Sequence, residues 1–266
     1  MYYENKIVLI TGASSGIGKE LALQLARQKA KLILTARRAD VLAEVQQTCL
    51  QHTQHCDTIV FDLSQTDKID QLAKDALAKH GHIDVLVNNA GVSQRSLTID
   101  TDISVDRRIM ELDYFATITL TKALLPQFVK RGTGHIIVIS SISGLMGFPM
   151  RSAYAAAKHA LHGFFETLQT EKPAEQLYVT IACPGRVNTP ISMSALTGDG
   201  KPHQVMDDGQ KNGIPVEECV RKILTAAQNG KRLIKIARAE GMLLFIKRIM
   251  PSLFFKIAHK KGMQPH

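Results

Sequence analysis

The 266-residue chain has no tryptophan, and aromatic residues make up only 5% of it. Its four cysteines, Cys49, Cys56, Cys183 and Cys219, form no C-x-x-C pair. That excludes a thiol-redox motif or a disulfide-framed secreted module and leaves reduced thiols in a cytosolic protein. The ten histidines include no H-x-x-x-H pair, so no metal site is expected. No apolar run approaches the roughly 18 residues that a spanning helix requires. The opening MYYENKIVLITGASSG is neither basic nor apolar for long enough to read as a secretory signal, which points to a cytoplasmic location. No fixed-period repeat or low-complexity stretch occurs. Hydrophobic residues at 45% and charged residues at 21% exclude disorder, and the length suits a single core.

Charge is present but unevenly placed. The net charge is +9, yet residues 231–266 alone hold nine Lys/Arg against one acid, Glu240, and the rest is nearly balanced. A nucleic-acid binder would spread its cations over a folded face, so no nucleic-acid partner is expected. A cationic segment rich in Leu, Ile and Phe suits an anionic membrane surface or a partner subunit instead.

Apolar runs alternate with helical patterns. Strands are expected at 6–11, 31–36, 58–63, 83–90, 134–141, 177–184 and, more weakly, 232–237. Helices are expected at 18–29, 40–51, 66–80, 104–131, 152–173 and 216–229. That alternation predicts an α/β doubly wound fold, a mainly parallel seven-stranded sheet with helices on both faces. The domain is expected to run over 1–238, with a basic amphipathic extension at 239–266. Residues 188–215, rich in Gly and Pro, read as a substrate loop or lid.

The first strand–helix junction reads T-G-A-S-S-G-I-G over 11–18. Glycines let the chain turn tightly and approach a pyrophosphate, and the helix N-terminus offers N–H groups and a positive dipole end. Gly12, Ser14, Ser15, Gly16, Ile17 and Gly18 are therefore candidate dinucleotide contacts. The second strand ends Thr35-Ala36-Arg37-Arg38, with no acid to hold a ribose 2′-hydroxyl. A planar, permanently charged guanidinium suits a 2′-phosphate, so Arg37, with Arg38 and Ser14 or Ser15 as possible helpers, points to NADP(H).

Tyr154 and Lys158 stand four apart on the expected 152–173 helix, hence on one face. A free phenol titrates near 10, and a neighbouring cation favours the phenolate and pulls it toward working pH. Ser140 and Ser141 end the fifth strand, at the edge that lines the crevice of an open parallel sheet.

These motifs fall in order: TGASSGIG, Asp62 in FDL, N-N-A-G at 88–91, a serine 13 residues before the tyrosine, YAAAK at 154–158 and Pro184-Gly185. Together they resemble the short-chain dehydrogenase/reductase family over about residues 5–230. The resemblance implies a Rossmann fold, with Tyr154 as the acid/base, Lys158 on the nicotinamide ribose and Ser141 on the substrate carbonyl. It implies that Asp62 and Leu63 contact the adenine and that Asn89, Ala90 and Gly91 line the cofactor. Pro184, Gly185, Val187 and Thr189 would hold the nicotinamide end, and the protein would be a homodimer or homotetramer. The chain departs from the pattern in M-E-L-D-Y-F (110–115), where Asp113 stands at the position of the family's relay asparagine. An ionised Asp113 would offset part of the Lys158 charge.

Past residue 240, Arg248, Ser252, Lys256 and Lys260 recur every four residues, and Pro251 should break or kink the helix they share. The tail fits either peripheral contact with the inner face of a membrane or packing on the lid or a second subunit. With the 192–207 segment, it most resembles the member 7 branch of the family, which implies a small apolar carbonyl substrate. The expected activity is reduction of a lipophilic ketone or aldehyde by NADP(H). A 3-oxoacyl thioester reductase and a non-catalytic NADP(H) sensor are the alternatives.

Overall fold

The computed structural model describes residues 2–262. Seven strands form one sheet: β1 (Ile7–Thr11), β2 (Lys31–Ala36), β3 (Cys56–Val60), β4 (Val85–Asn88), β5 (Thr133–Ile139), β6 (Gln176–Pro184) and β7 (Leu233–Ile236). Their order is β3-β2-β1-β4-β5-β6-β7, and every pairing is parallel. The order reverses between β1 and β4, so the crevice lies where the carboxyl ends of those strands diverge.

The strands are apolar almost throughout because both faces are covered. Alternate residues go to opposite sides. Val8, Ile10, Leu32 and Leu34 join one core, while Leu9, Ile33, Leu86 and Ile136 join the other. The first core is closed by α1 (Gly16–Arg27), α2 (Ala39–Leu50) and residues of the later 216–228 helix. The second is closed by α3 (Ile69–His80), a long helical segment after β4, and the helix after β5.

That long segment departs from the expected single helix. It is α4 (Ile103–Met110), a π-turn (Glu111–Phe115) and α5 (Ala116–Arg131). Wider π-turns interrupt α-helices mostly at functional sites, and this one carries Asp113 into the interior. The third strand is also displaced, ending at Val60 rather than 63. Phe61, Asp62 and Leu63 continue past the sheet edge toward the crevice.

α6 (Ser152–Glu171) carries Tyr154 and Lys158. The 188–215 stretch is held by single bridges, Gln94 to Leu196, Leu196 to Pro202 and Val187 to Ile214, and includes the short α7 (Asp208–Lys211) before α8 (Val216–Gln228). The tail forms two helices, α9 (Ala239–Ile249) and α10 (Pro251–Gly262). The break falls at Met250, where φ −135° and ψ 67° leave the helical region, as the residue before a proline tends to do. Leu243, Phe254 and Ala258 bury into the second core. Residues 263–266 of the expected extension lie outside the described residues. No helix among the described residues is long and apolar enough to cross a membrane.

The four cysteines are buried and unpaired, and burial pushes the Cys183 and Cys219 thiols up to about 12. His80 and His82 stand two apart but turn to different carboxylates, Asp57 at 3.0 Å and Asp84 at 3.4 Å. No metal-holding cluster of His, Cys, Asp or Glu occurs among the described residues.

Candidate active site

One pocket of about 650 Å³ opens at the carboxyl edge of the sheet. Its floor is the β1–α1 turn. Gly12 and Gly16 have φ of +65° and +52°, and a Cβ at Gly12 would meet the Ala90 Cα and the Asn89 amide at 2.9 Å. Only glycine adopts this path without strain. Thr11 Oγ1 accepts the Asn89 and Ala90 N–H groups at 2.9 and 3.1 Å, and Asn89 Nδ2 donates to the Thr11 carbonyl at 2.9 Å. These bonds clamp β1 to the turn after β4. The first turn of α1 has no side-chain cap and no acid, so its N–H groups are left for an anion in the pocket.

Ser14, Ser15, Gly16, Ile17, Arg37, Asp62, Leu63, Asn89, Ala90 and Gly91 all line this pocket, as do Pro184, Gly185, Val187 and Thr189. Gly18 is a correction. It lies behind the turn, so close to the Gly12 carbonyl and Asn89 Nδ2 that a side chain would collide with both. Its part is to let α1 pack on β1, not to face a cofactor. Arg38 also lines the pocket, and its Nη2 donates to Ser14 Oγ at 3.3 Å, which places two guanidiniums beside the glycine turn. The donor set fits a nicotinamide dinucleotide: backbone N–H groups for the pyrophosphate and arginines at the end of β2.

At the other end, α6 sets Tyr154 and Lys158 near the end of β5 and the π-turn. Tyr154 is buried, and the Lys158 ammonium lies 5.6 Å from its ring centroid. Lys158 Nζ donates to the Ile139 carbonyl at 3.3 Å and meets Asp113 Oδ2 at 3.2 Å. An ammonium has three donors, so one remains for a ligand. Asp113 Oδ1 accepts the Val92 N–H at 2.8 Å. Burial raises the Asp113 carboxyl, and Lys158 only partly offsets this. Burial lowers Lys158, but the Asp113 charge and the Tyr154 phenol outweigh it and hold the ammonium above its usual range.

The two serines after β5 divide. Ser140 Oγ lies 3.0 Å from His162 Nε2 and 3.4 Å from the Lys158 carbonyl. Ser141 Oγ accepts the Ser143 N–H at 3.1 Å and reaches the Pro184 carbonyl only at 3.4 Å, so its proton can turn to a ligand.

Sequence reasoning placed the 188–215 loop at the site but missed the ionic links that hold it. Arg95 Nε donates to Asp207 Oδ2 at 2.9 Å across 112 residues, and Arg151 reaches the same oxygen at 3.6 Å. Burial and the nearby Arg95 lower Arg151 to about 9, with Asp207 opposing and Arg186 adding to the fall, so it stays charged at neutral pH. Met146, Phe148, Met193 and Leu243 supply apolar lining beside these arginines. No local motif marks such a set; only spacing-independent packing assembles it.

The family model for short chain dehydrogenase matches residues 6–199. The zebrafish (Danio rerio) dehydrogenase/reductase SDR family member 7B is 40% identical over 262 residues, covering 96% of this chain and 84% of that protein. A short-chain dehydrogenase from Streptomyces avermitilis has the same fold at TM-score 0.82 and 29% identity, covering 98% of this chain and all of that one. A short-chain dehydrogenase/reductase from Burkholderia phymatum, solved with NAD, superposes at TM-score 0.84 with 20% identity, covering 100% of this chain and 99% of that one.

Proposed function

The chain belongs to the short-chain dehydrogenase/reductase family of oxidoreductases, and from that premise we propose that it reduces a ketone or aldehyde on a lipophilic substrate with NADPH. The observation that carries this reading is the convergence of Ser141, Tyr154 and Lys158 with the glycine turn in one pocket whose β2 end offers Arg37 and Arg38 and no acid. When bound, the dinucleotide supplies the hydride.

The protein's own residues do the rest. Ser141 Oγ and the Tyr154 hydroxyl hold the carbonyl oxygen, polarising it for attack. Tyr154 gives its proton to that oxygen as negative charge develops. The Lys158 ammonium stabilises the phenolate left behind, and its spare N–H binds the nicotinamide ribose. Asp113 holds Lys158 in place from below. The apolar lining beside the buried Arg95 and Arg151 fits an amphipathic substrate, apolar in its body and polar at one end. A homo-oligomer and peripheral contact with an anionic membrane complete the reading.

One observation favours a second reading. The Asp113 carboxylate, set against Lys158, weakens the cation on which Tyr154 depends, as suits a protein that binds NADPH without turnover. Fluorescence titration with NADPH and NADH, followed by a panel of steroid, retinal and acyl carbonyls, separates the two. Reductase activity with NADPH preference is expected, falling at least about a hundredfold in Tyr154→Phe while NADPH binding persists. Retained turnover in that variant overturns the mechanism. Tight NADPH binding with turnover only in Asp113→Asn supports the sensor.

A further inference from the structure

The two tail helices have an inner and an outer side. Inward, Leu243 lines the pocket, and Phe254 and Ala258 pack into the core. Lys247 Nζ donates to the Leu145 carbonyl at 2.7 Å, and the Gly262 backbone sits so tightly on Pro149 that a side chain there would collide. α9 and α10 are thus fixed to the 142–150 segment and form part of the outer wall.

Outward, they are unusually apolar. Met242 is 68% exposed, Phe245 66%, Ile249 60% and Phe255 65%, with Met250 and Leu253 beside them. Six of the seventeen exposed large apolar side chains among the described residues fall within 242–255. The exposed charges among them are Arg248, Lys256, Lys260 and Lys261. The one acid of the two helices, Glu240, turns back to the Arg186 and Arg238 N–H groups at 3.3 and 3.2 Å.

A covering partner must therefore be apolar and anionic at once. A second copy of the same face would set cation against cation. A nucleic acid would leave the Phe, Met and Ile side chains unpaired with anything apolar. A bilayer containing anionic phospholipid matches both properties: basic side chains meet headgroups while apolar ones enter the acyl boundary.

We infer that α9 and α10 dock the protein on an anionic bilayer and that, because the same helices wall the pocket, a membrane-dissolved carbonyl substrate passes into the site from the lipid. The docking surface stands on the exposed residues alone; the substrate route rests on the reductase reading above. Each basic side chain near an anionic surface multiplies binding by about fivefold. Reversing two of them should therefore lower it by more than about tenfold.

The test uses the full chain in sedimentation with vesicles of phosphatidylcholine, with and without phosphatidylserine. Wild type should pellet with the anionic vesicles and be released by salt. Phe245→Glu/Phe255→Glu and Lys256→Glu/Lys260→Glu should stay in the supernatant while binding NADPH as wild type does. Both variants should reduce a short water-soluble ketone at the wild-type rate and lose at least about tenfold on a long-chain ketone dissolved in the vesicles. Equal pelleting of wild type and variants overturns the surface. Loss of a larger oligomer in the variants, with no vesicle binding by wild type, reassigns the face to copy–copy contact and overturns it as well. Vesicle binding with unchanged long-chain turnover in the variants overturns the route. Failure of wild type to reduce either ketone overturns the reductase reading and the route with it, while sedimentation still judges the surface.

Discussion

The pocket has two walls built in different ways. The inner wall is the carboxyl edge of the sheet with the starts of α1 and α6, fixed by continuous strand register and by the Thr11 hydroxyl, which accepts the Asn89 and Ala90 N–H groups. The outer wall is the 188–215 stretch with α9 and α10, held by isolated backbone bridges such as Arg95 to Leu196 and Asn188 to Ile214, and by side-chain links: Arg95 to Asp207, Lys247 to the Leu145 carbonyl, Glu240 to the Arg186 N–H. Groups that need fixed geometry, Tyr154, Lys158 and the glycine turn, sit on the first. On the function proposed above, groups that would meet the variable part of a substrate sit on the second. Rigid elements carry precision, and loops placed around them carry selectivity.

The comparison is tested hardest at the far end of the inner wall. If that wall also sets cofactor choice, Arg37→Ala should weaken NADPH by about ten- to a hundredfold, the range for lost charge-assisted hydrogen bonds. NADH binding should hardly move. Arg38→Ala, which also frees Ser14, should give a smaller loss in the same direction. Competitive fluorescence titration with both dinucleotides measures this. Equal losses for NADPH and NADH would place the arginines on the shared part of the cofactor and leave its choice to another group.

The same division explains what could be read from the sequence. The inner wall was legible because each of its parts is local. A glycine turn lies between a strand and a helix, a phenol and an amine stand four apart, and a serine follows a strand end. Even there, two features needed coordinates. Gly18 looks like its neighbours in the string T-G-A-S-S-G-I-G, yet it faces Gly12 and Asn89 rather than the pocket. The 104–131 pattern is helical throughout, and nothing in its periodicity marks the π-turn that buries Asp113. The outer wall was legible as a Gly/Pro-rich loop and a basic tail, but its cross-links were not. Arg95 and Asp207 are 112 residues apart, and an isolated Arg or Asp in a loop reads as solvated charge until packing joins them. Within the tail, Pro251 did announce the break between α9 and α10, because proline acts on its own neighbour.

A smaller effect is expected where the inner wall departs from its family. Asp113 faces Lys158 at 3.2 Å, fully buried, and its charge helps hold the ammonium above its usual range against burial. Asp113→Asn removes that support and keeps an acceptor for the Val92 N–H. Burial then acts on Lys158 with less to oppose it and lowers it, so the alkaline limb of the pH profile, where the ammonium loses its proton, should move to lower pH. An alkaline limb that stays in place, or moves upward, would mean that the carboxyl does not support the Lys158 charge.

The smallest effect is expected at the joint between the walls. Glu240 opens α9, accepts the Arg186 N–H at 3.3 Å and the Arg238 N–H at 3.2 Å, and lies against Gly185. Through it the tail touches the Pro184–Val187 turn in the pocket wall. The contact is weak by its nature. Arg186 and Glu240 are 45% and 22% exposed with their charges 3.9 Å apart, a pair of the kind worth less than about 1 kcal/mol. Glu240→Gln keeps one acceptor and loses the charge, so NADPH affinity should fall by about fivefold or less, with KM for a vesicle-dissolved ketone rising to a similar extent and the Tyr154-dependent step unaffected. A larger fall in kcat would show that the outer wall positions the reacting groups as well as the substrate, and the division between the two walls would then fail at the point where they touch.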